Sequence, residues 1–159
     1  MPNLIEGEDR FFLRRMKEED LSAVRTIEAL CFSNPWSDNT FRGEIQNTSV
    51  SFPMVVVRRP GDAVVAYIIF WQIRDDVQVN NVAVHPDYRG LGLGEAMMRY
   101  AIAKVRDAGA TFMTLEVRQS NTPAVMLYRK LGFEIMGTRK NYYTKPDEDA
   151  FVMALVLDQ

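Results

Sequence analysis

The sequence predicts an α/β domain: a mixed, mostly antiparallel sheet with helices on both faces. Three observations predict it. Short runs rich in Val, Ile, Phe and Tyr recur at strand length between turn residues. Stretches with apolar residues three or four apart interleave with them, the spacing of one helix face. Along 159 residues the order is strand, helix, helix, three strands, helix, strand, helix, two strands, which is one layered domain over 1–159.

Each element has a local reason. Residues 11–16 form a first strand, and Asp20 stands as the cap of a helix whose apolar face is Leu21, Val24, Ile27 and Leu30. After the loop Ser33-Asn34-Pro35-Trp36, Ser37 caps a short helix through Phe41 and Ile45. Residues 52–58 form a strand, Pro60-Gly61-Asp62 a turn and residues 63–74 a long strand, so continuously apolar that both its faces are expected to be buried. Asp75-Asp76 turns the chain into the strand 77–84. A helix opens near Leu93, with Leu93, Met97, Ala101 and Val105 on one side and Gly109 as its stop. Residues 112–118 form a strand. Pro123 starts a helix that carries Ala124, Leu127, Tyr128 and Leu131 on one face and ends at Gly132. Strands over 133–138 and 151–157 close the sheet.

Composition narrows the function. With 19 Lys and Arg against 21 Asp and Glu, the net charge is −2, which gives no electrostatic reason to expect nucleic acid. The longest apolar run, residues 63–71, is too short to cross a bilayer. The opening Met1-Pro2-Asn3-Leu4-Ile5-Glu6-Gly7-Glu8-Asp9 lacks the basic and apolar regions of a signal peptide, and the single Cys31 excludes an internal disulfide, so the cytoplasm is the expected compartment. One histidine and no ligand cluster give no metal site. Nothing in the sequence sets the oligomeric state.

The most informative stretch is Arg89-Gly90-Leu91-Gly92-Leu93-Gly94, between a strand and a helix. Glycine at every second position lets bare backbone approach a ligand, and the N–H groups and dipole at the helix start favour an anion. A P-loop needs a following Gly-Lys-Ser/Thr, which is missing. A dinucleotide fingerprint needs a third glycine where Glu95 stands, although Glu116 follows at the right distance for its ribose partner. The third pattern is Arg89-x-x-Gly92-x-Gly94, preceded by Val82-Ala83-Val84-His85-Pro86-Asp87-Tyr88. In it the chain resembles the GNAT superfamily of acetyl-CoA-dependent N-acetyltransferases, whose loop of this form holds the coenzyme pyrophosphate.

The resemblance narrows at Leu115-Glu116-Val117-Arg118-Gln119-Ser120-Asn121, Leu127-Tyr128-Arg129-Lys130-Leu131-Gly132-Phe133, Arg139-Lys140-Asn141-Tyr142-Tyr143 and Asp149-Ala150-Phe151-Val152-Met153-Ala154-Leu155, with Asn34-Pro35-Trp36-Ser37 near the start. These stretches, roughly half the chain, are similar to the bacterial ribosomal-protein-alanine N-acetyltransferases, which acetylate the α-amine of a small-subunit ribosomal protein. The resemblance implies the GNAT fold and acetyl-CoA as co-substrate, with Val82, Ala83, Val84, Arg89, Gly90, Leu91, Gly92, Leu93, Gly94, Glu95 and Asn121 holding it. It also implies Glu116 as proton acceptor, Tyr128 as proton donor and a protein N-terminus as acceptor. One departure is Gln78-Val79-Asn80-Asn81, a strand that often carries an acid or His in the family and here carries neither.

Each site residue also has a plainer interpretation. Strand alternation turns Thr114, Glu116 and Arg118 away from Met113, Leu115 and Val117, so Glu116 faces a groove or solvent. Tyr128 is also a core tyrosine on an apolar helix face, and Asn121 a helix cap. Trp36, Tyr142 and Tyr143 either wall a peptide groove or belong to local core. His85 beside Pro86 is structural, and Cys31 a small buried hydrophobe. Rival functions are acetylation of lysine or a small-molecule amine, a non-catalytic nucleotide-binding module, and a GNAT domain that only senses acyl-CoA.

Overall fold

The computed structural model describes residues 3–5 and 10–157; residues 1–2 and 6–9, part of the opening read above, and 158–159 lie outside the described residues. Within it the strands are β1 (Arg10–Arg15), β2 (Ser51–Arg59), β3 (Ala63–Ile73), β4 (Asp76–Val84), β5 (Phe112–Arg118), β6 (Glu134–Tyr143) and β7 (Glu148–Val156). The helices are α1 (Leu21–Cys31), α2 (Asp38–Gln46), α3 (Leu93–Asp107) and α4 (Thr122–Lys130). The strands form one sheet in the order β1-β2-β3-β4-β5-β7-β6. Every neighbouring pair is antiparallel except β4 and β5, the pair joined through α3.

The sheet separates two apolar layers. Val56, Ile68, Phe70, Met113 and Leu115 pack with Met97, Met98, Ala101 and Val105 of α3. On the other face Val55, Val57, Tyr67 and Ile69 pack with Val24 and Ile27 of α1 and Phe41 of α2. Successive residues of β3 therefore feed opposite layers, which is why its apolar run has no alternation. No helix among the described residues is long and apolar enough to cross a membrane.

Three local expectations are corrected. Leu30 is 54% exposed, and the buried stripe of α1 is Leu21, Val24, Ile27 and Glu28. At 100° per residue Leu30 lies about 120° round the helix from Val24, outside the stripe, whereas Glu28 and Cys31 fall within it. Asp20 makes no side-chain cap for α1. Its carboxylate takes both guanidinium nitrogens of Arg14, at 2.7 and 2.8 Å, and the Lys17 N–H at 2.7 Å. The closing hairpin is longer than its apolar pattern: β6 runs to Tyr143 and β7 starts at Glu148. β6 is an edge strand with mostly exposed polar residues, so hydrophobic alternation does not report it. Ser37 caps α2 as expected, its Oγ accepting the Thr40 N–H at 3.2 Å.

Candidate active site

The site begins where a ladder stops. β4 and β5 pair from Asp76–Phe112 to Val79–Leu115. Beyond that point β4 continues to Val84 and β5 to Arg118 with no shared pairs. The β3–β4 register shifts between Ile69 and Phe70, so Asn80 has no Cα partner there, and a bulge of this kind bends a strand. The diverging strands open a cleft of about 670 Å³. Val82 lines it, Ala83 is buried beside it, and the Val84 carbonyl accepts from Arg89 Nε at 3.3 Å.

The glycine loop stands at the head of α3. Gly90 and Gly92 have φ of +79° and +87°, the left-handed region that side chains disfavour. A Cβ on Gly92 would meet nothing within 4 Å, so glycine is needed there for backbone conformation. Gly94 lies inside the helix, and its added Cβ would make ordinary contact with Leu127 Cδ2 at 3.7 Å. The bond from Ala96 N–H to Gly92 O, 3.0 Å, opens the helix, so the N–H groups ahead of it have no acceptor within the helix. Glu95 is bound by Lys130 at 2.8 Å and Arg99 at 2.9 Å. These bonds, the one from Lys130 foremost, hold its carboxyl below the usual range and offset its charge next to the helix start. Asn121 accepts the Ala124 N–H at 3.3 Å: it caps α4 and also lines the cleft.

Glu116 is the first β5 residue past the last pair with β4. Its Oε2 accepts from Gln78 Nε2 at 2.8 Å and its Oε1 from Arg139 at 3.2 Å, and its side chain is 15% exposed. Thr114 Oγ1 donates to Gln78 Oε1 at 2.9 Å, so the amide of Gln78 can present only its NH₂ to Glu116. The strand without a second acid thus supplies a fixed donor to the candidate base. Tyr128, on α4, lines the same cleft with its ring against Phe133, 5.8 Å between centroids. Burial pushes its phenol up to about 12, which keeps the proton on oxygen at neutral pH.

Aromatics complete the walls. Trp36, Tyr142 and Tyr143 all line the cleft. Trp36 packs on Phe41 at 5.2 Å, Tyr142 and Tyr143 meet edge-on at 5.0 Å, and Arg139 and Arg118 lie over Tyr142 and Tyr143, each at 4.5 Å. Arg118 also donates to the carbonyls of Thr144 (2.9 Å) and Pro146 (3.0 Å), fixing the β6–β7 turn on β5. Asn34 Nδ2 reaches Thr144 Oγ1 at 3.1 Å, so the α1–α2 loop touches that turn.

Three features escape the sequence analysis. Glu28 is 2% exposed on the buried stripe of α1, and the signal for it was an acid four residues after Val24 in an apolar helix face. Glu148 accepts the Ser120 N–H (2.6 Å) and hydroxyl (2.9 Å) and pairs with Arg118 (3.2 Å), holding the β5–α4 loop. Cys31 is half-buried rather than core: it lines the cleft with Sγ 3.4 Å from the Val84 carbonyl and 3.2 Å from Arg89. His85 is structural, its Nδ1 accepting the Asp87 N–H at 3.0 Å. Among the described residues no group of three or more His, Cys, Asp or Glu is placed to hold a metal.

Comparison with known proteins identifies the family. A Bacillus subtilis protein provisionally named a ribosomal protein bS18-alanine N-acetyltransferase is 37% identical over 147 residues, covering 92% of this chain and 96% of that one. The crystal structure of the ribosomal-protein-S18-alanine N-acetyltransferase from Escherichia coli superposes with a TM-score of 0.84 at 32% identity, over 94% of this chain and 95% of that one. The fold is shared with yncA from Salmonella typhimurium, solved with its cofactor acetyl-CoA, at a TM-score of 0.77 and 21% identity over 94% and 95% of the two chains. The model of the acetyltransferase (GNAT) family matches residues 21–133. The chain belongs to the GNAT family of acetyltransferases and is an enzyme of that class.

Proposed function

We propose that this enzyme moves the acetyl group of acetyl-CoA directly to the α-amine of a protein N-terminus, an alanine-first ribosomal protein in the cytoplasm being the acceptor. One observation carries the mechanism: Glu116, hydrogen-bonded in its carboxylate form, and Tyr128, held protonated, line one cleft at the point where β4 and β5 part.

Acetyl-CoA supplies the acetyl group as a thioester. The residues present fit it: two left-handed glycines, N–H groups without helix partners and an offset acid at the start of α3 suit a pyrophosphate. The backbone of Gly90, Leu91, Gly92, Leu93, Gly94 and Glu95 binds the phosphates, with Arg89 before them and Asn121 at the head of α4. The open edge of Val82, Ala83 and Val84 offers strand-type hydrogen bonds to the pantetheine amides and an N–H to the carbonyl oxygen as it gains charge. Glu116 takes the proton of the acceptor ammonium and Tyr128 returns one to the departing thiolate. Trp36, Tyr142 and Tyr143 wall the acceptor.

Energetics favour an α-amine. Its pKa is about 7.7–8.0 against about 10.4 for lysine, so deprotonation at pH 7 costs about 1 kcal/mol against about 4.6. A single carboxylate is a weak base and suits the smaller cost. The relatives named for alanine acetylation support the same acceptor.

The test is an acetylation assay on short peptides that differ in the first residue, beside N-terminally blocked lysine peptides and small amines. Alanine-first peptides are expected to react fastest, and blocking the N-terminus to abolish turnover. Acetylation of lysine in a blocked peptide at a comparable rate, located by mass spectrometry, would overturn the acceptor. For the acid, Tyr128→Phe is expected to lower kcat by about 10²-fold, the lower end for a lost proton donor, with acetyl-CoA affinity kept. Its pH–rate profile should keep the wild-type shape below about 12, because the phenol does not titrate there; unchanged kcat would remove Tyr128 from the chemistry.

A further inference from the structure

Three carboxylates line the cleft: Glu28, Glu116 and Glu148. Glu116 is paired with Arg139 and Glu148 with Arg118, each at 3.2 Å. Glu28 differs. Its Oε1 accepts from the Tyr67 hydroxyl and from Asn81 Nδ2 (2.8 Å), and its Oε2 from the Trp36 N–H (2.9 Å). All three donors are neutral, and among the described residues Glu28 has no ion-pair partner.

A carboxylate 2% exposed is costly unless hydrogen-bonded, and these three donors meet that need. They do not cancel its charge. An ionised carboxylate has roughly four acceptor sites, of which these donors use three. Glu28 is also one of the residues that line the cleft. Asn81, which holds Glu28, lies on β4 beyond the last pair with β5, while Glu116 stands on β5 just past that same pair. Glu116 thus faces the gap from β5 and Glu28 from α1, held to β4 through Asn81, one paired with arginine and one not.

We propose that Glu28 is the counter-charge for the acceptor's ammonium: a buried anionic subsite that receives a primary ammonium at the gap and orients it before its proton leaves. This rests on an amine being the acceptor and is independent of which group is the base. Glu28 binds the cation, and Glu116, on β5 across the gap, is left to take the proton. The Trp36 N–H on Oε2 links the subsite to the loop that carries the aromatic wall.

The experiment measures binding. With coenzyme A bound to suppress turnover, calorimetry compares an alanine-first peptide with its des-amino analogue, in which hydrogen replaces the amine. Wild type should prefer the amine peptide by about tenfold or more, the range for a hydrogen bond to a charged group. Glu28→Gln should erase that preference by weakening the amine peptide alone. Tyr67→Phe, which removes a neutral donor and leaves the charge, should keep the preference, and it shows that disturbing this cluster does not by itself abolish binding. If Glu28→Gln weakens both peptides equally, Glu28 only supports the Trp36 loop and the proposal is overturned; a preserved preference overturns it as well. If the panel selects lysine or a small amine instead, the α-amine reading fails separately, and the comparison is run with that amine and its des-amino analogue against the same two outcomes.

Discussion

Glu116→Gln should lower kcat by about 10²–10⁴ at neutral pH and leave the Kd for acetyl-CoA within about twofold, the range for loss of a general base. The substitution is conservative in the ground state. The Gln oxygen can still accept from Arg139 or Gln78, so the cleft keeps its shape while proton affinity is lost. The defect should depend on pH. Below about pH 8 most of the acceptor is ammonium and needs the base; above that the amine deprotonates in solution and the variant recovers relative to wild type. Steady-state rates from pH 6.5 to 9.5 check this. Full activity at neutral pH, or a defect that does not narrow with rising pH, would remove Glu116 as the base.

Gly92→Val should raise the Kd for acetyl-CoA by about 10²-fold or more while the protein stays folded. At φ +87° a β-branched residue is strained by about 1–3 kcal/mol, so the loop leaves this conformation or holds it at that cost. An added Cβ meets no protein atom within 4 Å, so the strain at the Cβ comes from the backbone conformation. The stability cost falls on a surface loop and should lower Tm by several degrees, at about 2–4 °C per kcal/mol for a domain of this size. Gly94→Ala is the control: it sits in helical geometry with an ordinary 3.7 Å contact, so it should bind nearly as well as wild type. Calorimetry and thermal unfolding of both variants decide, and equal affinity in wild type and Gly92→Val would end the phosphate-cradle assignment.

Where the pattern was strong the sequence was sufficient. The alternation in 112–118 put Glu116 on the face opposite Met113, Leu115 and Val117, and burial alternates there in the structure. The stripe through Leu93, Met97, Ala101 and Val105 packs as expected. Periodicity failed where packing depends on a neighbour. Residues 139–143 pair with β7 through polar edge positions, with Asn141 at φ 52° absorbing an irregular register. Glu28 was hidden because one acid in an amphipathic helix normally faces water. Only the approach of Tyr67, Asn81 and Trp36 from three other segments makes its burial tolerable. Likewise Gln78 looked like the loss of a functional acid until the strands were in register and its amide met Glu116.

The early end of the β4–β5 ladder also bears on the endurance of the molecule. Four residue pairs join the half of the sheet made by β1 to β4 to the half made by β5, β7 and β6. Under the proposed function, acetyl-CoA bonded to the open β4 edge fills a cleft that both halves line, and its binding energy adds to their cohesion. At a hundredfold excess over Kd that linkage is about 2.7 kcal/mol, a sizeable share of the stability of an ordinary domain. The resistance of the enzyme to proteolysis, and not only its rate, is then expected to follow the supply of its acyl donor, which limited proteolysis with and without acetyl-CoA checks.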